Sequence, residues 1–146
     1  MAGKFYIEFS FRGDDFSPEE ITTSLGITPS RTWKKGDRRT PKNANTKVVC
    51  KNNGWVIRTE EKTDENNNME EQIELLLARL TPLAYKIKEI CSNNKKIEAI
   101  FCCVLYAIEA NPQVYFKSMI VRQISDMGAS IWFDVYNFGD DIPNSK

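Results

Sequence analysis

Hydrophobic and polar positions alternate without a break near the start of the chain. In KFYIEFSFR, residues 4 to 12, Phe5, Ile7, Phe9 and Phe11 fall on one side and Tyr6, Glu8, Ser10 and Arg12 on the other. A period of two marks a strand with one buried face. GDDFSPEEI then changes the period. Ser17 suits an N-cap, Pro18 the first helical position, Glu20 a capping box, and Phe16 with Ile21 a hydrophobic staple. The spacing predicts a short helix with Ile21 and Leu25 inward, stopped at Gly26 by a left-handed cap.

Residues 40 to 54 read as a polar loop around a weak strand at Lys47 to Lys51, with NNG turning the chain into a partner strand, WVIRTE. EEKTDENNN, residues 60 to 68, reads as a solvated linker. From Met69 the apolar positions Met69, Ile73, Leu76, Leu80, Leu83, Ile87 and Ile90 recur at spacings of four and three, with Leu77, Ala84 and Cys91 widening the stripe. Pro82 interrupts this helix and predicts a kink near Ala78 or a restart capped by Thr81. KIEAIFCCVLYAI is apolar on both faces, as a central strand is. NPQVYF turns the chain, and KSMIVRQISDMG is a helix with Ile120, Ile124 and Met127 inward. In SIWFDVY, the last strand, Ile131, Phe133 and Val135 oppose Trp132, Asp134 and Tyr136.

Two halves echo each other, each with a strand, a helix and a glycine stop. In the first half the closing strand falls at Thr28 to Trp33. The order predicts one α+β domain over residues 1–146: a mainly antiparallel sheet with three helices packed on one face, a weak strand-helix-strand repeat, and a polar tail at 138–146 that frays. Those helices are expected to cover Phe5, Phe9, Ile131 and Val135.

Composition removes several chemistries. The chain has no histidine, so Ser-His-Asp and Cys-His catalysis and histidine-based metal motifs are excluded. Its four cysteines, Cys50, Cys91, Cys102 and Cys103, form no CxxC pair, and neighbours Cys102 and Cys103 point to opposite faces of a strand. They read as reduced, buried, small apolar residues, and neither a metal nor a cofactor is expected. MAGKFYIEF enters a strand without the apolar run of a secretory signal, which makes a cytoplasmic location the expectation. No apolar run is long enough to span a membrane.

The segments GDDFSPEEITTSLGITPSRTWKKGD, LLARLTPL and GASIWFDVY together resemble a bacterial family known as domain of unknown function 4279, over nearly the whole chain. The resemblance implies a fold and no activity, and it brings no catalytic residues with it.

Lys plus Arg and Asp plus Glu are each 20, so net charge points to neither nucleic acid nor membrane. The charges are unevenly placed, however. Between Arg31 and Lys51 eight basic residues accompany a single acid, Asp37, and an acidic stretch follows from Glu60 to Glu74. Two candidate binding surfaces follow. One is the loop of Trp33, Lys34, Lys35, Arg38 and Arg39, where tryptophan among basic residues suits an anchoring contact; the preferred reading of the same residues is a turn whose tryptophan caps the core beside the first helix. The other is the sheet face away from the helices, with Tyr6, Glu8, Arg12, Trp132, Asp134 and Tyr136. An open aromatic patch there suits a protein partner or a homodimer. Glu8 and Asp134 are also candidates for a carboxylate pair in an enzyme or a small-ligand site. The repeated Gly-Asp-Asp at 13–15 and 139–141 reads as turn chemistry, not a metal site. The leading expectation is a small non-catalytic protein-binding or regulatory module.

Overall fold

The computed structural model describes residues 3–39, 48–63, 69–94, 96–108 and 114–137. Its sheet is built outward from β1 (Lys4–Gly13), whose alternation works as the sequence predicts: Phe5, Ile7, Phe9 and Phe11 are all fully buried. Each such aromatic or aliphatic burial is worth roughly 1.5–3 kcal/mol. The phenyl rings pack at angles suited to their quadrupoles: Phe9 lies 5.2 Å from Phe11 at 82° and 4.9 Å from Phe101 at 55°.

The elements that follow are α1 (Pro18–Leu25), β2 (Arg31–Trp33), β3 (Arg38–Arg39), β4 (Val48–Val49), β5 (Asn53–Arg58), β6 (Lys62–Thr63), α2 (Met69–Leu80), α3 (Ala84–Asn93), β7 (Ile97–Ala107), α4 (Ser118–Asp126) and β8 (Ser130–Asn137). Among the described residues, six strands form one sheet in the order β2-β5-β1-β7-β8, with β6 also pairing β1. All its pairs are antiparallel except β7 with β8. The fold is α+β.

Local signals set the helix ends. Ser17 caps α1, its hydroxyl accepting from the Glu20 N–H, and the carboxylate that closes this turn is Glu19, which accepts from the Ser17 hydroxyl at 2.9 Å. Hydrogen bonds from the backbone and Ser17 hold the Glu19 carboxyl below its ordinary pKa. Gly26 ends the helix at φ 67°, where a side chain would be strained. Pro82 ends α2 through a 3-10 turn (Thr81–Leu83), and the helix restarts at Ala84. The restart is as expected, but the Thr81 side chain makes no capping bond.

The helices lie on one face. Ile21, Leu25, Met69, Ile73, Leu77, Leu80, Ile87, Ile120 and Ile124 share a core with the odd-numbered residues of β1, β5 and β7. Trp55 joins them and donates from Nε1 to Thr22 Oγ1 at 2.9 Å, tying β5 to α1. The repeat is visible in the topology. In β7-α4-β8 the two strands are adjacent and parallel. In β1-α1-β2 they are also parallel, because each is antiparallel to β5, which lies between them.

Two expectations are corrected. The weak strand near Lys47 does not form a hairpin with WVIRTE: β4 pairs β3 in a separate two-stranded ribbon, while β5 joins the main sheet between β1 and β2. The helices also do not seal the last strand. Register places Ile131, Phe133 and Val135 on the helix-bearing side, opposite Phe101, Cys103 and Leu105, yet they are 39%, 44% and 45% exposed. Among the described residues β8 is an edge strand, with a neighbour on one side only. The expectations for residues 40–47, 64–68 and 109–113, and for the tail 138–146, fall outside the described residues.

Candidate functional site

The face of the sheet away from the helices carries the even-numbered residues of β1, β7 and β8. All six sequence-predicted residues, Tyr6, Glu8, Arg12, Trp132, Asp134 and Tyr136, are on it, but they split into two regions.

The first region lies toward β2 and is closed. The Trp33 indole lies over Gly54, the residue opposite it, and a Cβ at position 54 would clash with its Cε2 and Cζ2 atoms. Trp33 Nε1 donates to Asn52 Oδ1 at 3.4 Å, and the guanidinium groups of Arg31 and Arg12 lie 5.1 and 5.7 Å from its centroid. Trp33 therefore does not cap the core beside α1; it covers the opposite face of the sheet. Glu8 is only 6% exposed and is held at 3.5 Å by Arg31. The fully buried Ser10 hydroxyl and the Arg12 Nε make no hydrogen bond among the described residues.

The basic loop does not converge on this region. Lys34 Nζ pairs with Glu19 at 3.4 Å, and the backbone N–H groups of Lys34 and Lys35 donate to Asp37 and Asn53 side chains. Arg38 is exposed in β3, and Arg39 pairs Val48 through the backbone of that ribbon. The KKGD donors are thus satisfied by Asp37 and Lys34 within the turn and by Asn53 and Cys50 beside it.

The second region runs to β8 and is open. Tyr6, Tyr106 and Tyr136 form an aromatic row across β1, β7 and β8, with Tyr6 6.4 Å from Tyr106 and Tyr106 stacked on Tyr136 at 5.1 Å and 14°. Burial pushes the Tyr6 phenol up to about 12, although the Arg58 guanidinium, 3.4 Å above its ring, acts against that shift. Tyr136 donates its hydroxyl to Asp134 Oδ2 at 3.1 Å, and that bond raises the phenol pKa. Trp132 is exposed and borders a hollow of about 430 Å³ shared with Arg12, Asn52, Lys96, Glu98 and Ile100.

The carboxylate pair is not brought together. Glu8 faces Cys102 and then Trp132 across the sheet, while Asp134 lies two residues further along β8. Two strand spacings and two residue rises put their Cα atoms roughly 12 Å apart. Glu8 turns to Arg31 on the β2 side and Asp134 to Tyr136, and neither lines the hollow. Burial raises the pKa of Cys91 and Cys102 and takes Cys103 up to about 12, which makes these three thiols poor nucleophiles. Among the described residues, no group of three or more Cys, Asp or Glu side chains could hold a metal ion.

Sequence reasoning missed the other side of β8. Ile131, Phe133 and Val135 were assigned to the core, but they join Trp132 and Tyr136 as exposed surface, with Phe133 stacked on Phe116 at 5.9 Å. Of the eleven large hydrophobic residues exposed among the described residues, eight lie between Tyr115 and Tyr136. The signal was present in SIWFDVY, which is apolar on both faces with a single charge.

Fold and surface together define an α+β domain with a mostly antiparallel open sheet, one closed edge and one apolar edge. The chain belongs to the family described as a domain of unknown function (DUF4279), whose model matches residues 3–138. No curated protein and no solved structure matches it. No helix among the described residues is long and apolar enough to cross a membrane.

Proposed function

We propose that the protein is a small, non-catalytic, cytoplasmic module that binds another polypeptide along β8. The observation that carries this reading is the gathering of exposed aromatic and aliphatic side chains on and beside one edge strand. An edge strand offers a row of unpaired N–H and C=O groups to an added strand, and flanking apolar side chains give that addition its affinity. Four free cysteines fit a reducing compartment. A small ligand held by sheet-face carboxylates is the weaker reading, because Glu8 is tied to Arg31 and stands apart from the hollow.

The experiment is capture from the native host with the wild-type chain and with Trp132→Ala/Tyr136→Ala. Loss of the captured polypeptides by the variant, with an unchanged circular dichroism spectrum, is expected. Equal capture by both chains removes β8 as the site.

A further inference from the structure

We infer that the polypeptide β8 takes up is a second copy of this chain, paired antiparallel about a two-fold axis through Phe133. This rests on the reading of β8 as a binding edge and names its occupant.

The register follows from the pleat. A two-fold axis perpendicular to the sheet keeps each face on its own side, and directly opposed residues of an antiparallel pair share a face. The axis must then pass through a residue, not between two. Within Ser130–Asn137, only axes at Phe133 and Asp134 align seven of the strand's eight residues. An axis at Asp134 sets two carboxylates directly opposite each other, which destabilises a pair. An axis at Phe133 sets Asp134 opposite Trp132 of the other copy, Ile131 opposite Val135, and Ser130 opposite Tyr136. It joins the half-exposed Ile131, Phe133 and Val135 of both copies into one apolar patch on the helix-bearing face. On the other face the row of Tyr6, Tyr106 and Tyr136 ends against Ser130 of the second copy, with Trp132 of that copy diagonal to Tyr136.

Charge and area both fit a second copy. Asp134 is the only ionisable group in β8 that is charged at neutral pH, and the chain is neutral as a whole, so two copies meet without net repulsion. An eight-residue strand is roughly 27 Å long. Taken through the strand's own layer and the α4 layer behind it, about 20 Å in all, such a strip buries on the order of 500 Å² per copy, or about 1,000 Å² in all, the lower bound for a specific interface. Such a pair is isologous and closed, so it gives a dimer, not a fibre.

The test is sedimentation of the full chain, with a register probe by disulfide trapping. Wild type is expected to be a dimer at roughly 100 μM, a hundredfold above a micromolar Kd. Phe133→Lys sets two cations opposite each other on the axis and should weaken the dimer by roughly a hundredfold or more. Because that substitution could also disturb packing against Phe116, the trap is independent of it. Ile131→Cys mixed with Val135→Cys should give a mixed covalent dimer on oxidation. Neither alone should cross-link more than wild type, since like positions lie about 13 Å apart. A monomer at this concentration, an unchanged dimer in Phe133→Lys, or no mixed trap overturns the inference. A monomeric wild type that still captures polypeptides in a Trp132- and Tyr136-dependent way overturns only the second copy and leaves the binding edge standing.

Discussion

At one margin of the sheet, β2 stops after three residues; at the other, β8 runs for eight. The short edge is flanked by Arg31, Lys34 and Lys35 and roofed by Trp33, which lies over Gly54. Short length and basic flanks are ordinary means of keeping a sheet from adding strands. The long edge has none of these: its one acid is occupied by a tyrosine hydroxyl, and both faces present apolar side chains. The same sheet therefore ends in two opposite ways. A tryptophan amid basic residues marks the closed end, and a run that reads as core in sequence marks the exposed, apolar end.

The largest expected effect is one the two margins share, because both depend on β7 and β1 between them. Cys103 sits fully buried in β7 with its thiol pKa raised from 9.0 to about 12. A thiol held neutral in the folded state contributes its full stability below pH 9 and loses it as pH rises from 9 toward 12. Denaturant midpoints should be flat from neutral pH to about 8.5, then fall by an amount on the order of 4 kcal/mol by pH 12. Tyr6 adds to the loss above pH 10. Cys103→Ala should reduce the slope above pH 9, the remainder coming from Cys91 and Cys102, whose pKa values burial also raises; an unchanged slope would contradict the role given to Cys103.

The next effect separates the margins. Threonine at Ile131, Phe133 and Val135 together should weaken association by roughly a hundredfold and leave unfolding within about 1 kcal/mol, because strand propensity is kept while exposed apolar surface goes. On the closed side the balance reverses. Gly54→Ala displaces the Trp33 indole and should cost about 1–3 kcal/mol of stability, with association unchanged. Arg31→Ala leaves the buried Glu8 carboxylate unpaired and should cost about 1–3 kcal/mol, part of which Glu8→Gln restores in the double variant. The exposed Lys34–Glu19 pair is the smallest: Lys34→Ala should change stability by no more than about 1 kcal/mol.

Most of the fold was legible because its signals are local. Ser17, Pro18, Gly26, Pro82 and the alternation of Phe5 to Phe11 each act through neighbours a few residues away, and each sets the element expected of it. The site was half legible. Alternation in SIWFDVY tells which residues share a face; it does not tell whether anything lies over that face. On β1 the faces are covered because strands flank it and helices pack on it; on β8 the same pattern is left half bare. Trp33 was misread for a related reason. Its role depends on β2 pairing with β5, which brings Gly54 beneath it from twenty-one residues away, and no spacing within TPSRTWKKGD records that pairing. Glu8 likewise read as a surface carboxylate because Arg31 reaches it only through the sheet order.

Amide hydrogen exchange along β8 at two protein concentrations, compared with β2 as an internal control, tests the open edge most directly. Outward-facing N–H groups of Ser130–Asn137 should exchange more slowly at the higher concentration, while those of Arg31–Trp33 keep the same rate. Exchange along β8 that does not change with concentration would contradict the pairing of this edge with a second copy.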